Sequence, residues 1–265
     1  MADNLLISID ARGVATVTIN RAEKHNAFND AVIAELDDAF ATLGANETVR
    51  VIVLTGAGKS FSAGADLGWM KQTATYSTDE NQADAMRLSG MLSTLANCPK
   101  PTIALVNGAA FGGGVGLTAC CDIGIALSTA IFSLSEVKLG LTPATISPYV
   151  VRAIGARAAQ RYFLTGERFD GIEARRIGLV HEIAQSPDEA DMILNGIITQ
   201  LLSGGPTAQA DCKELITFVA GRDIDTSVRE ETAKRIAARR TSDEGQEGLT
   251  AFFEKRKPSW SVDHD

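Results

Sequence analysis

VNGAAFGGGVGLTACCD, residues Val106 to Asp122, turns from a short apolar run into three consecutive glycines and then into a small-residue helical pattern ending near Cys121. Pro101 precedes the run, Thr102 to Val106 reads as a compact buried strand, and Asn107-Gly108 breaks it. The first residues of a helix carry unpaired N–H groups and the positive end of its dipole. Glycines at such a start leave those donors open to a ligand. A second stretch has the same character: GAGKSFSAGAD, Gly56 to Asp66, follows a strand over Arg50 to Thr55 and reads as loop throughout, being too rich in glycine and small residues for an element interior.

Working outward, Leu5 to Ile9 and Val14 to Asn20 read as two strands joined at Ala11-Arg12-Gly13. Asn29 can cap a helix whose apolar residues Val32, Ile33, Leu36, Phe40 and Leu43 recur at helical spacing. Gln72 to Gln82 is polar and reads as a mobile segment before a helix to about Ala96. Downstream come strands over Ile123 to Ala126 and Ile131 to Phe132, then helical patterns separated by Gly155, Gly166 and Gly178. From Pro187 onward only helices remain, punctuated by Gly204-Gly205-Pro206 and Gly221. The class is α/β, divided into a core over residues 1–200 and a helical region over 201–265.

At 265 residues and 45% hydrophobic composition the chain can bury a large core. Its formal charge of −8 argues against nucleic acid or an anionic membrane surface as partner, since both need a clustered basic face. No apolar run of membrane-spanning length and no leader pattern occurs, so a cytoplasmic location is expected. Cys98, Cys120, Cys121 and Cys212 lack CxxC spacing, and His25, His181 and His264 lie far apart. Buried thiols are expected, with no disulfide scaffold and no metal site.

Neither glycine loop fits GxGxxG or GxxxxGK[ST], and no GxSxG occurs, so nucleotide-fold and serine-nucleophile readings have no support. If one N–H from each loop converges on a single oxygen, the pair forms an oxyanion hole. The alternative is that the glycines only permit tight strand-to-helix packing. Asp66 reads as the cap of a short helix, and Asp122 and His181 read as structural.

Five blocks in order, NRAEKHNAF (Asn20 to Phe28), SFSAGADLGWM (Ser60 to Met70), VNGAAFGGGVGLTACCD, SLSEVKLGLTP (Ser133 to Pro143) and AFFEKRKP (Ala251 to Pro258), resemble the crotonase family over nearly the whole chain. The resemblance implies a spiral of repeated strand-strand-helix units, with terminal helices that build trimers or dimers of trimers. It implies an acyl-coenzyme A thioester whose oxygen is bound by the N–H groups of Ala65 and Gly113, and no cofactor beyond the coenzyme A carried by the substrate. Hydratases of the family divide proton transfer between two glutamates. Here the first position is Gly116 and the second is Glu136.

Glu136 stands in an apolar stretch, so desolvation is expected to raise its pKa, which suits a group that takes and gives a proton. Leu67, Gly68, Trp69 and Met70, with Gly116 and LGLTPATISPYV, most resemble the branch that hydrates methylglutaconyl-CoA and isohexenylglutaconyl-CoA. Trp69, Gly116 and Pro143 are expected to line the acyl pocket, with a bulkier β-substituent occupying the space above Gly116. The resemblance puts Lys24, Ala63, Asp66 and Leu67 at the coenzyme A, together with Phe252 and Lys255 of a neighbouring subunit. Arg21 is a further candidate for its phosphates, whereas Arg256 and Lys257 read as solvated charges. Hydration is the first reading, isomerisation by one glutamate the second, and a non-catalytic acyl-CoA or RNA-binding scaffold the third.

Overall fold

The computed structural model describes residues 3–261, so His264 lies outside the described residues. β1 (Leu5–Ile9) and β2 (Val14–Ile19) form an antiparallel hairpin with Leu5 opposite Ile19. α1 (Asp30–Ala45) starts at Asn29, whose Oδ1 accepts from Val32 N at 3.1 Å. There follow β3 (Val51–Gly56), β4 (Ser60–Ser62), α2 (Leu67–Thr73), α3 (Thr78–Ala96), β5 (Thr102–Val106), β6 (Ala109–Phe111), α4 (Gly113–Cys120), β7 (Ile123–Leu127) and β8 (Ile131–Ser133). The chain continues with α5 (Ser147–Thr165), β9 (Arg168–Asp170), α6 (Gly171–Arg176), β10 (Glu182–Ala184), α7 (Pro187–Ser203), α8 (Pro206–Val219), α9 (Thr226–Thr241) and α10 (Asp243–Glu254).

Successive turns of the chain share their strands between two sheets. β3, β5 and β7 join a six-stranded sheet of order β1-β2-β3-β5-β7-β10, parallel from β2 onward, while β4, β6 and β8 join a four-stranded sheet of order β4-β6-β8-β9. This is the expected α/β spiral. The central strands of the larger sheet are buried on both faces, which explains why β3 reads as an unbroken apolar run. Ile52 and Leu54 enter the main core with Phe40, Phe61 and Leu92. Val51 and Val53 face the other way and pack with Ile103, Ile125, Ile198 and Leu202, so α7 closes that side.

Four expectations need correction. Gly56 to Asp66 is not loop throughout, because Ser60–Ser62 pairs parallel with β6, itself unseen in the sequence. Strands of three residues are too short to show a periodicity, and only distant pairing makes them strands. The polar stretch from Gln72 is largely helical: α2 runs to Thr73, and α3 starts at Thr78 behind a capping box in which Ser77 and Glu80 exchange hydrogen bonds. Gly155, at φ +72° and ψ 158°, leaves the helical region and divides α5 into two helical stretches, as its place in the sequence suggests. The boundary at residue 200 falls within α7, whose Leu202 still packs on the sheet. Cys98 and Cys120 are buried, Cys121 is half-buried, and Cys212 is exposed on α8.

Asp122 accepts from Thr102 N and Oγ1 and from Lys213 Nζ, and His181 Nδ1 accepts from Gly124 N at 3.0 Å. Both residues thus tie elements together, as expected of structural groups.

Candidate active site

The first loop is assembled by polar contacts. Asn26 is fully buried at φ +56°, a conformation asparagine tolerates better than most residues. Its Nδ2 donates to Ala57 O and Ser60 O, and its Oδ1 accepts from Arg21 N at 2.9 Å. Ser62 Oγ donates to Asn26 O and accepts from Gly64 N. These bonds fix the chain on both sides of the turn.

Phe28 then pairs with Ala65 in a single parallel bridge: Phe28 N donates to Gly64 O at 2.8 Å, and Asp66 N donates to Phe28 O at 3.0 Å. In that pattern both bonds use the residues flanking Ala65, so its own N–H points away from Phe28. It has no partner among the described residues.

Asp66 anchors the far end of the loop. Its Oδ1 caps α2 by accepting from Gly68 N at 2.7 Å and Trp69 N at 3.4 Å, and its Oδ2 accepts from Arg21 at 3.1 Å and Lys24 at 3.0 Å. Burial alone pushes this carboxyl up, but Lys24 and the two N–H groups outweigh it and hold the pKa at about 2. Asp66 therefore stays charged and committed to the cap.

Arg21 needs correction. It is only 7% exposed, and its guanidinium is engaged by Ala27 O and Asp66, so it faces inward rather than towards a phosphate. Lys24 keeps half of its side chain in solvent. Ala63 donates to His25 O, and Leu67 is exposed on the first turn of α2.

The second loop is shaped by missing side chains. A Cβ at Gly64 would stand 2.7 Å from Phe111 O and 3.3 Å from Gly113 N, so the two loops touch here. A Cβ at Gly113 would overlap the tip of the Phe28 ring. Gly113 opens α4, and its N–H has no partner among the described residues. Gly112 sits at φ +49°, and a Cβ there would lie 3.0 Å from Glu136 Oε1. Glycine at 112 therefore admits the carboxylate beside the helix start.

Glu136 comes from a 3-10 turn, Ser135–Leu139, ending in left-handed Gly140. Its Oε2 is buried with no partner, and desolvation raises its pKa. Gly113 and Glu136 thus lie next to Gly112, and Gly64, the neighbour of Ala65, touches the same helix start.

The expected vacancy at Gly116 is not there. A Cβ at Gly116 would overlap Ile146 Cγ2 and stand 2.9 Å from Ile146 Cβ. Ile146, from the ATISP segment, fills the space. Pro143 is buried nearby in sequence, and Trp69 packs on the main core with its Nε1 buried and unpartnered. Phe252 and Lys255 stand exposed at the end of α10, which packs against α9 and α8. Arg256 pairs with Glu247 and Glu254, as a surface charge does.

Asn26, Ser62, Phe28 and Ile146 were not picked out as site-building residues by sequence. For Asn26 the only available signal was an asparagine in the short connection between β2 and α1. A separate cavity of about 730 Å³ lies beneath α8 and is lined by Cys121, Asp122, His181 and Lys213, among others. None of Ala65, Gly113 and Glu136 reaches it, so its size says nothing about their chemistry.

Residues 10–263 match the model of the enoyl-CoA hydratase/isomerase family, and the chain belongs to that family and to the crotonase superfamily. The crystal structure of an enoyl-CoA hydratase from Shewanella pealeana is similar at a TM-score of 0.94 and 46% identity, covering 97% of this chain and 96% of that one. Pseudomonas aeruginosa AtuE is similar at 0.93 and 35%, covering 98% and 100%. The short-chain-enoyl-CoA hydratase of Clostridium acetobutylicum is 35% identical over 257 residues, 96% of either chain. Among the described residues no helix is long and apolar enough to cross a membrane.

Proposed function

We propose that this chain adds water across the 2,3 double bond of an enoyl-CoA thioester. The observation that carries the reading is two unpartnered main-chain N–H groups, of Ala65 and Gly113, on loops that touch, with Glu136 and its buried, unpartnered Oε2 against Gly112. The thioester oxygen accepts from both donors, and they strengthen their hold as enolate charge develops there. One such donor is worth about 2.7–4 kcal/mol in the transition state. With that charge stabilised, the β-carbon is electrophilic. Glu136, as carboxylate, takes a proton from the attacking water while the oxygen bonds to the β-carbon, and then delivers that proton to the α-carbon. A carboxyl with a raised pKa suits both halves of this exchange.

Branched glutaconyl-CoA esters are the substrates we propose within this class. Support comes from the ADLGWM and LTPATISPYV blocks and from Trp69, whose buried, unpartnered indole N–H is a donor for an acyl carboxylate. Replacing Trp69 with Phe is expected to lower kcat/KM for 3-methylglutaconyl-CoA about tenfold, the loss of one useful hydrogen bond to a charged group, while sparing crotonyl-CoA. Equal effects on both would refute the acyl-carboxylate role.

Isomerisation is the second reading, favoured by one fact: Gly116 supplies no second carboxylate. Incubation with 3-methylglutaconyl-CoA separates the two. Loss of the conjugated absorbance with gain of one water in mass supports hydration, and a mass-neutral double-bond shift refutes it. Glu136→Gln is expected to abolish turnover and keep acyl-CoA affinity.

We also propose that the terminal helices assemble the chain into a homotrimer or a dimer of trimers. α8 has no fully buried residue, and Phe252 and Phe253 are 76% and 75% exposed. Such apolar surface favours a partner. Sedimentation velocity tests this, and a monomer at micromolar concentration would refute it.

A further inference from the structure

Gly112 and Gly116 are joined by a hydrogen bond from Gly116 N to Gly112 O, one turn apart on α4 and separated by roughly 6 Å of rise. Glu136 lies against the first of them and Ile146 against the second. The carboxylate therefore lies at the cap of α4 and the isoleucine against its first turn. Ile146 cannot easily move aside. It is 3% exposed and sits just before α5, where its carbonyl accepts from Tyr149 N and Val150 N, both at 3.1 Å. Leu92 closes the space from α3, 3.8 Å from the position a Gly116 Cβ would take.

We propose that Ile146 is a specificity-determining residue: it stands where a second carboxylate would otherwise reach and forms the wall that limits the β-substituent of the acyl group facing Glu136. This rests on the acyl-CoA reading of the site. It reverses the role first assigned to Gly116, because the glycine makes room for the protein's own side chain and not for the substrate's. The wall is apolar, so the substituent it faces is hydrocarbon, and any acyl carboxylate points elsewhere.

The test compares thioesters that differ only in the second substituent on the β-carbon: crotonyl-CoA and its 3-methyl and 3-ethyl homologues, with the saturated acyl-CoA counterparts as binding probes. Ile146→Ala is expected to raise the ethyl-to-hydrogen ratio of kcat/KM roughly tenfold or more, the discrimination a pocket gains from a methylene-sized change. Ile146→Val, which keeps the packing nearly intact, should move it the same way by roughly fourfold, the equivalent of one buried methylene. The ratio of dissociation constants for the saturated probes should follow, and it needs no turnover. A role confined to core packing would lower thermal stability and leave both ratios within twofold of the unaltered protein, which would overturn the proposal. If the unaltered protein turns over none of the thioesters, the hydratase reading fails, while the binding ratios still decide the role of Ile146.

Discussion

The two loops that meet at Phe28 are built by opposite means. Around Ala65 the backbone is held by groups that are present: Asn26, Ser62 and the buried Asp66 with its two cations. Around Gly113 it is held by groups that are absent, since side chains at 112, 113 or 116 would strike Glu136, Phe28 or Ile146. A loop made by hydrogen bonds loses stability when a partner is removed. A loop made by close approach fails when an atom is added, and it recovers when the neighbour is trimmed.

The sharpest break is Gly113→Ala. The new methyl meets the Phe28 ring and displaces the donor, so kcat/KM on an enoyl-CoA should fall about 100- to 1000-fold, as for loss of one oxyanion donor. Combining it with Phe28→Leu should restore part of the activity. No restoration would mean that loop is not held sterically.

Asp66→Asn probes the polar loop. It leaves Arg21 buried without its carboxylate, which typically costs about 3 kcal/mol and lowers Tm by roughly 6–12 °C. The deficit depends on pH. The folded Asp66 pKa is about 2 and the unfolded value near ~3.9, so the charged group's full contribution is present above the unfolded value and disappears as pH falls through the folded one. Thermal melts from pH 6 down to pH ~2 should show the two proteins converging.

Asn26→Ala should cost about 2 kcal/mol, because it strands the carbonyls of Ala57 and Ser60 and puts alanine in a left-handed conformation. Chemical denaturation measures it. The smallest effect has the opposite sign. Burial raises the Glu136 pKa, so the ionised carboxylate destabilises the fold, and this penalty is absent below the unfolded value near ~4.3. Glu136→Gln should therefore raise Tm at pH 7 and leave it unchanged below pH ~4.

Sequence made one of these loops easier to anticipate than the other. Glycine at 64, 112, 113 and 116 announces that something comes close, and Glu136 in an apolar stretch announces desolvation. Neither fact names the neighbour. Ile146 lies thirty residues beyond Gly116, and nothing short of the packed structure brings them together. The long elements were legible because β3 and α1 carry their burial pattern in consecutive residues. β4 and β6 were not, since Ser-Phe-Ser and Ala-Ala-Phe become strands only by pairing with each other and with β8.

The interlock of Gly116 with Ile146 also restricts how this catalyst can change. An acidic residue appearing at 116 would collide with the isoleucine before it could carry a proton, so lineages that take that step first pass through a damaged fold. A smaller residue at 146 has to come beforehand. The gain of a carboxylate at 116 thus has a preferred order of mutation, written into a single contact between two positions thirty residues apart.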